Sequence, residues 1–152
     1  MLSLRRKNVG NEEASTVTSM NEVGLALSYQ GKYEESEVMH RQTLALKETA
    51  LSKEHPDTLA SMNNLALVLD SQGKYDEAEA MYRQALALRE KVLGKEHPDM
   101  LTSVFCLAHL LAKQDLYNEA TTLYQRACDG YSVVLGARDA PKKGAKEAHN
   151  VK

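Results

Sequence analysis

The sequence repeats itself with a period of 42 residues, and this period restricts the fold more than any other feature. Tyr33, Tyr75 and Tyr117 are spaced at that interval, each within a similar stretch of sequence. Residues 15–56 match residues 57–98 at about 24 positions, and a third copy, from Asp99, matches the second at about 15. Repeats of this kind are typical of solenoid proteins, in which each unit packs on its neighbours. We therefore expect the function to reside on a repeated surface rather than in one catalytic pocket.

Apolar residues recur at helical spacing twice within each unit, which predicts two helices per unit. In the middle unit the first stripe comprises Leu59, Met62, Leu65, Ala66 and Leu69. The second, longer stripe starts at Tyr75 and continues to Leu93. The sequence thus predicts an all-α fold, a solenoid of antiparallel helix pairs, with helices near residues 16–29, 33–51, 58–71, 75–93, 100–113 and 117–135.

Glycine and proline separate the predicted helices. Gly73 can adopt the left-handed conformation that ends a helix, and Pro56 and Pro98 stop any continuation of the preceding one. Asp57 and Asp99, directly after the prolines, are expected to cap the next helices. Small side chains recur where the two helices of a unit should cross, which predicts close backbone approach; they are Gly24, Ala66 and Ala108 on the first helices and Ser36, Ala78 and Ala120 on the second.

The period divides the chain into three units, residues 15–56, 57–98 and 99–140, of which the third is divergent. Residues 1–14 align with the end of a second helix and its connector, so we interpret them as the end of a preceding unit. Residues 137–140 are expected to form a connector, and residues 141–152 lack an apolar stripe and are expected to be a disordered tail. Neither end has the polar outer face with which solenoids normally end, which indicates apolar surface at both ends.

Composition and motifs exclude several classes of function. The formal net charge of −2 argues against nucleic-acid binding, which requires a basic face. There is no apolar run long enough for a membrane span and no signal peptide, so we expect a soluble, cytoplasmic protein without membrane contact. The two cysteines, Cys106 and Cys128, do not form a disulfide framework. No metal-ligand spacing, phosphate-binding loop or nucleophile elbow occurs, so we expect no enzyme activity, no cofactor and no metal.

Residues 63–99 closely resemble the long tetratricopeptide repeats of kinesin light chains and of related fungal and bacterial NLR-like signalling ATPases. The motif is specific because Asn-Leu-Ala, Gln-Gly-Lys-Tyr, Glu-Ala and His-Pro-Asp occur together at fixed offsets. The resemblance covers residues 2 to about 140 and implies a right-handed superhelix that serves as a protein-interaction scaffold. The third unit departs from the motif, because Phe105 and Cys106 replace the two asparagines.

In tetratricopeptide arrays, one stripe of each first helix lines a concave groove. Here that stripe has spacing i, i+4, i+7 opposite the core. The resemblance indicates that Asn21 and Asn63 hold the backbone of a bound peptide, while Leu25, Leu67 and Phe105 contact its side chains. The same asparagines could instead fix the next helix. The complete candidate peptide-binding groove comprises Asn21, Leu25, Ser28, Asn63, Leu67, Asp70, Phe105 and His109.

The predicted function is a protein-protein interaction module that binds a peptide or short helix of a partner in this groove. The alternative is a regulatory or self-assembly segment of a larger signalling protein, acting through its uncapped ends or through the convex face of the second helices around Glu37, Arg41, Glu79 and Arg83. Self-association through the ends would make the oligomeric state depend on concentration, whereas a groove-binding module would stay monomeric while its groove is empty.

Overall fold

The computed structural model describes the backbone of residues 2–95 and 97–139, and side chains within residues 13–95 and 97–136. The described part contains six helices in chain order: α1 (Leu2–Tyr29), α2 (Tyr33–Ala50), α3 (Pro56–Ser71), α4 (Tyr75–Leu93), α5 (Pro98–Lys113) and α6 (Tyr117–Asp139). Each helix packs against the next along the chain, and α1 also contacts α3. The predicted all-α solenoid of helix pairs is confirmed.

Two helix boundaries differ from the expected ones by more than two residues. Helix α1 begins at Leu2 rather than near residue 16, so the connector expected at residues 10–14 is helical. Helix α6 continues to Asp139, through most of the connector expected at residues 137–140. Both segments lack proline, whereas the connectors that do separate the units lead directly into Pro56 and Pro98, the first residues of α3 and α5. The tail expected at residues 141–152 lies outside the described residues.

The helix caps also differ from the expected ones. Histidine, and not aspartate, caps α3 and α5: Nδ1 of His55 accepts a hydrogen bond from the Asp57 amide at 3.1 Å, and Nδ1 of His97 accepts one from the Asp99 amide at 3.2 Å. The proline at the first helical position holds the residue before it in an extended conformation, which is the conformation of a cap. Asp57 and Asp99 therefore lie in the first turn, where their charge suits the helix dipole.

The first and second helices of a unit approach closely where the sequence places small residues. Ser36 Oγ donates a 2.6 Å hydrogen bond to the Gly24 carbonyl, and a Cβ added at Gly24 would lie 2.8 Å from His40 Nε2. The Gly24 equivalents, Ala66 and Ala108, are fully buried. Burial lowers the pKa of His40, with a smaller effect from the nearby charge of Lys47. The expected close crossing is confirmed.

The core runs through the interior of the array. The first-helix stripe predicted for the middle unit is buried in full, and Tyr82 and Ala85 from α4 join it. In the third unit, Gly130 permits an even closer contact, because a Cβ there would overlap the side chain of Leu101. The apolar stripe of α6 is therefore interrupted at Gly130 without a break in the helix.

The turns within the three units have one backbone conformation but different residues. Gly31 and Gly73 have φ values of +77° and +78°, and the equivalent residue of the third unit, Asp115, has a φ of +62°. Left-handed backbone is unfavourable for residues with a side chain. The third turn is therefore strained relative to the other two.

Candidate functional site

The predicted groove residues lie on α1, α3 and α5, one set per first helix, and we call them together the first-helix face. This face comprises Asn21, Leu25, Ser28, Asn63, Leu67, Asp70, Phe105 and His109. The structure brings the three sets side by side, because α3 contacts α1 and is bonded to α5 through Asn63–Ser103 and Asp70–Lys113. Their side chains, however, are in very different environments.

Asn63 is tied into a contact between units. It is only 9% exposed, and its Nδ2 donates a hydrogen bond to Ser103 Oγ at 3.1 Å. Arg89 Nη1 donates to the same Ser103 oxygen at 2.7 Å and to the Asp99 carbonyl at 2.9 Å. This network joins α3, α4 and α5, so in this structure Asn63 helps to fix the next first helix.

A second asparagine pair lies closer to the surface. Asn64 Nδ2 donates a 3.1 Å hydrogen bond to Asn21 Oδ1, and both residues are half-buried. This bond uses the donor of one amide and the acceptor of the other. It does not use the Asn21 Nδ2 donor or the Asn64 Oδ1 acceptor, and a donor and an acceptor together match the carbonyl and amide of a peptide group. Sequence reasoning missed Asn64, although its position in the Asn63-Asn64 pair was a signal.

Asp70 also bridges two first helices. Lys113 Nζ contacts Asp70 Oδ1 at 2.9 Å and Oδ2 at 3.2 Å, and Asp70 is 8% exposed. A buried carboxylate requires a paired cation or hydrogen bonds, and Lys113 supplies both. Asp70 therefore holds α5 to α3, while Ser28, the equivalent residue on α1, is half-buried.

The exposed part of the first-helix face is mainly apolar. Leu67 is 45% exposed and Phe105 is 49% exposed, and His109 is exposed one turn further along α5. The Phe105 ring makes an edge contact with Tyr124, with the ring centres 5.4 Å apart and the planes at 64°. This contact restricts the orientation of the Phe105 ring, whose exposed side is an apolar surface.

The second helices carry a series of ion pairs that we call the outer ladder. Arg41 contacts Glu37 on its own helix at 2.8 Å and Glu77 on the next second helix at 2.9 Å. Arg83 repeats this arrangement one period later, with Glu79 at 2.8 Å and Glu119 at 2.6 Å. The charges on this face are thus paired with one another between units.

Glu37 is the most strongly held carboxylate of the outer ladder. Lys74 Nζ lies 2.8 Å from Glu37 Oε2, and Gln72 Nε2 donates to the same oxygen at 2.8 Å. Burial acts to raise the pKa of the Glu37 carboxyl, but hydrogen bonds from Lys74, Arg41 and Gln72 outweigh it and lower the pKa from 4.5 to about 2. Glu37 is therefore ionised at neutral pH and links three side chains.

The cysteines and the possible metal ligands are the remaining reactive groups of the described part of the chain. Cys106 and Cys128 are both free, and burial raises the pKa of the Cys106 thiol. Within residues 2–95 and 97–139, no group of three histidine, cysteine or acidic side chains is arranged to hold a metal ion. None of the helices in these ranges combines the length and the apolar character needed to span a bilayer.

Comparisons with solved structures give similar helical arrays. The crystal structure of kinesin light chain nearly identical TPR-like repeats from Podosopora anserina has 27% sequence identity and a TM-score of 0.70, over 86% of this chain and 60% of that one. A crystal structure of a glutamine-to-methionine variant of the same protein gives the same identity and score. BtubC (BKLC) from P. vanneervenii has 18% identity and a TM-score of 0.75, over 99% of this chain and 61% of that one, and supports the fold alone.

The chain thus spans about 60% of the length of the solved structures that it matches. No curated protein sequence is similar enough to count as a match. The tetratricopeptide repeat family model matches residues 13–91 and 71–132, which together include most of the described helices. The chain therefore belongs to the tetratricopeptide repeat family, and its repeats are similar to those of the fungal kinesin light chain structures.

Proposed function

We propose that this chain binds a peptide or a short helix of a partner protein along the first-helix face. Tetratricopeptide arrays are in general protein-interaction modules, so the question is which surface this one uses. The observation that carries the proposal is the pair of exposed apolar side chains Leu67 and Phe105, which lie on the adjacent first helices α3 and α5. The half-buried Asn21 and Asn64 are hydrogen-bonded to each other between α1 and α3.

The size of the face fits a short ligand. Helix α3 has 16 residues, which corresponds to a length of about 24 Å. Neighbouring helices pack roughly 8 to 10 Å apart, so an extended peptide of several residues can cross all three first helices. An apolar ligand side chain would lie on Leu67 and Phe105, and the ligand backbone would pair with the Asn21 Nδ2 donor and the Asn64 Oδ1 acceptor.

The outer ladder supports this choice of face. Its charged groups already have partners on neighbouring helices, so a ligand there would have to compete with Arg41–Glu77 and Arg83–Glu119. The polar residues Asn63 and Asp70 are likewise engaged between units. What is left for a ligand on the first-helix face is apolar contact plus one asparagine pair, which predicts modest affinity because an extended peptide loses conformational freedom on binding.

The test is selection of binders from a random peptide library displayed on phage, with the purified 152-residue chain as the target. Leu67→Asp places a charge at the centre of the face and should abolish binding of the selected peptides. Asn21→Ala should weaken binding by about 1 to 3 kcal/mol through an unpaired polar group. Folding of each variant is checked by circular dichroism.

Val38→Asp is the matched control. Val38 is also an exposed aliphatic residue, but it lies on α2 outside the first-helix face. Binding should be unchanged in this variant. Peptides that tolerate Leu67→Asp and are lost with Val38→Asp would place the site on the second helices and contradict the proposal.

A further inference from the structure

The outer side of α1 exposes residues whose equivalents are buried in the other two units. Val23 is 46% exposed, whereas Leu65 and Leu107, one and two periods later, are each 1% exposed. Three neighbouring residues, Met20, Ala26 and Leu27, are likewise more exposed than their equivalents in the other two units. We call Met20, Val23, Ala26 and Leu27 the leading face. In the second and third units the equivalent residues are fully or almost fully buried, so among the described residues this side of α1 has less cover than the same side of α3 and α5.

The opposite end of the array shows the complementary difference on α6. Tyr131 is 37% exposed, whereas its equivalent in the middle unit, Arg89, is 7% exposed. Cys128 is exposed, and its equivalents Leu44 and Leu86 are buried and half-buried. We call Tyr124, Cys128 and Tyr131 the trailing face; they have the spacing i, i+4, i+7 that puts them on one side of a helix.

The interior of the array shows what covers each of these surfaces. Helix α2 packs against α3, and α4 packs against α5, so a second helix covers the next first helix. The charged contacts keep the same register in both places, since Arg41 pairs with Glu77 and Arg83 pairs with Glu119, 36 residues further along each time. The two end faces are therefore the two halves of one recurring interface.

From this complementarity we infer that the chain associates with a second copy head to tail, the trailing face of one molecule packing on the leading face of the next. The contact continues the register of α2 on α3 and of α4 on α5. In that register Gln125 of one copy lies opposite Glu35 of the next, at the positions that Arg and Glu occupy inside the array. This interface borders the first-helix face where Tyr124 contacts Phe105, but its other residues lie outside that face, and it is inferred independently of the proposed peptide site.

The partner copy is the occupant that the chemistry favours. Both faces are formed by apolar or uncharged side chains, and each lies on the kind of helix that packs against the other kind inside the array. Because the two faces differ, the contact is heterologous and leaves one free face at each end of a dimer. Association should therefore continue to longer chains as concentration rises, rather than stop at a symmetric dimer.

The first experiment is sedimentation velocity of the full chain at concentrations up to about 1 mM. The mean sedimentation coefficient should increase with concentration. Val23→Asp blocks the leading face and Cys128→Asp blocks the trailing face, and both replaced residues are exposed, so the fold should survive. Each variant alone should be monomeric, with an unchanged circular dichroism spectrum.

Mixing the two variants gives the decisive result. The Val23→Asp molecule keeps its trailing face and the Cys128→Asp molecule keeps its leading face, so the mixture should form one-to-one heterodimers and nothing larger. A wild-type chain that stays monomeric over the whole range overturns the inference. So does a mixture that stays monomeric, or one variant that still associates alone, because the latter indicates a symmetric or unrelated contact.

A second experiment tests the register. Gln125→Arg would restore the arginine that the outer ladder has at this position and pair it with Glu35 of the next copy. We expect association to strengthen about two- to fivefold, which is the usual range for an exposed ion pair. Adding Glu35→Arg to the same chain should remove the gain. Unchanged association in Gln125→Arg would show that the copies do not meet in this register.

Discussion

The same substitution, leucine to alanine, should reduce the free energy of unfolding by different amounts at Leu69, Leu27 and Leu67. Leu69 is fully buried on α3 with units on both sides, Leu27 is its half-buried equivalent on α1, and Leu67 is exposed on the same helix as Leu69. Leu→Ala removes about three carbon atoms from the side chain. At roughly 0.8 kcal/mol for each buried methylene, the transfer cost for Leu69 is about 2.4 kcal/mol.

The cavity left at Leu69 adds to this cost. A residual volume of about 50 Å³ at roughly 24 cal/mol per Å³ contributes about 1.2 kcal/mol, so Leu69→Ala should cost about 3 to 4 kcal/mol. For Leu27, about half of the transfer cost applies, and water can reach the space that opens, so we expect about 1 to 1.5 kcal/mol. Leu67→Ala should change the free energy of unfolding by less than about 0.5 kcal/mol.

Urea denaturation followed by circular dichroism measures all three costs. The slope of unfolding free energy against urea concentration should be compared first, because only variants with equal slopes report stability alone. Equal losses for Leu69→Ala and Leu27→Ala would refute the idea that a unit is stabilised by its two neighbours. A large loss for Leu67→Ala would show that this side chain is not on the surface.

Three further predictions concern single residues. Because the folded-state pKa of Glu37 is about 2 and the ordinary value is 4.5, its contribution to stability is present above pH 4.5 and is lost as the pH falls toward 2. The pKa difference corresponds to roughly 3 kcal/mol, which solvent screening of the exposed cations reduces to about 1 to 2 kcal/mol. Urea titrations of Glu37→Gln across this pH range should lack this part of the acid-induced loss of stability. Asp115→Gly should raise the free energy of unfolding by about 0.5 to 1 kcal/mol, and with it the melting temperature, because the left-handed backbone at this turn is unfavourable for aspartate. A lower melting temperature would mean that the Asp115 side chain stabilises the turn by more than its backbone strain costs. Asn63→Ala should lower the free energy of unfolding by about 1 kcal/mol, because it removes the hydrogen bond to Ser103. A variant that is as stable as the wild type but binds the selected peptides less tightly would indicate that Asn63 contacts the ligand.

The sequence predicted the array well because burial in a solenoid repeats with the sequence. Leu59, Leu65 and Leu69 follow the 3.6-residue period of a helix, and the 42-residue repeat shows which positions are equivalent in each unit. Ala66 and Ala108 could be placed at a close crossing for the same reason. These features depend on short segments of sequence and on equivalent surroundings in each unit. They can therefore be predicted from a single sequence.

Local features with competing signals were predicted less well. Helix α1 extends back to Leu2 because no proline interrupts residues 10–14, although their alignment with a connector predicted a break. The caps were assigned to aspartates, which usually cap helices, whereas the proline in the first turn moves the capping position to His55 and His97. In both cases one backbone constraint outweighed a residue preference.

The sequence alone determined the number of helices, their pairing and the face that each one buries, because these follow from periodic apolar residues and from glycine and proline positions. Only the tertiary structure decided what the polar residues of the first-helix face do. Asn63 meets Ser103, Asn64 meets Asn21 and Asp70 meets Lys113 across 40 to 43 residues of chain. Such a bond depends on the distance and angle between two packed helices, and a shift of one side-chain length would leave the same asparagine free for a ligand. That geometry is fixed by the whole core, and no local pattern in the sequence specifies it.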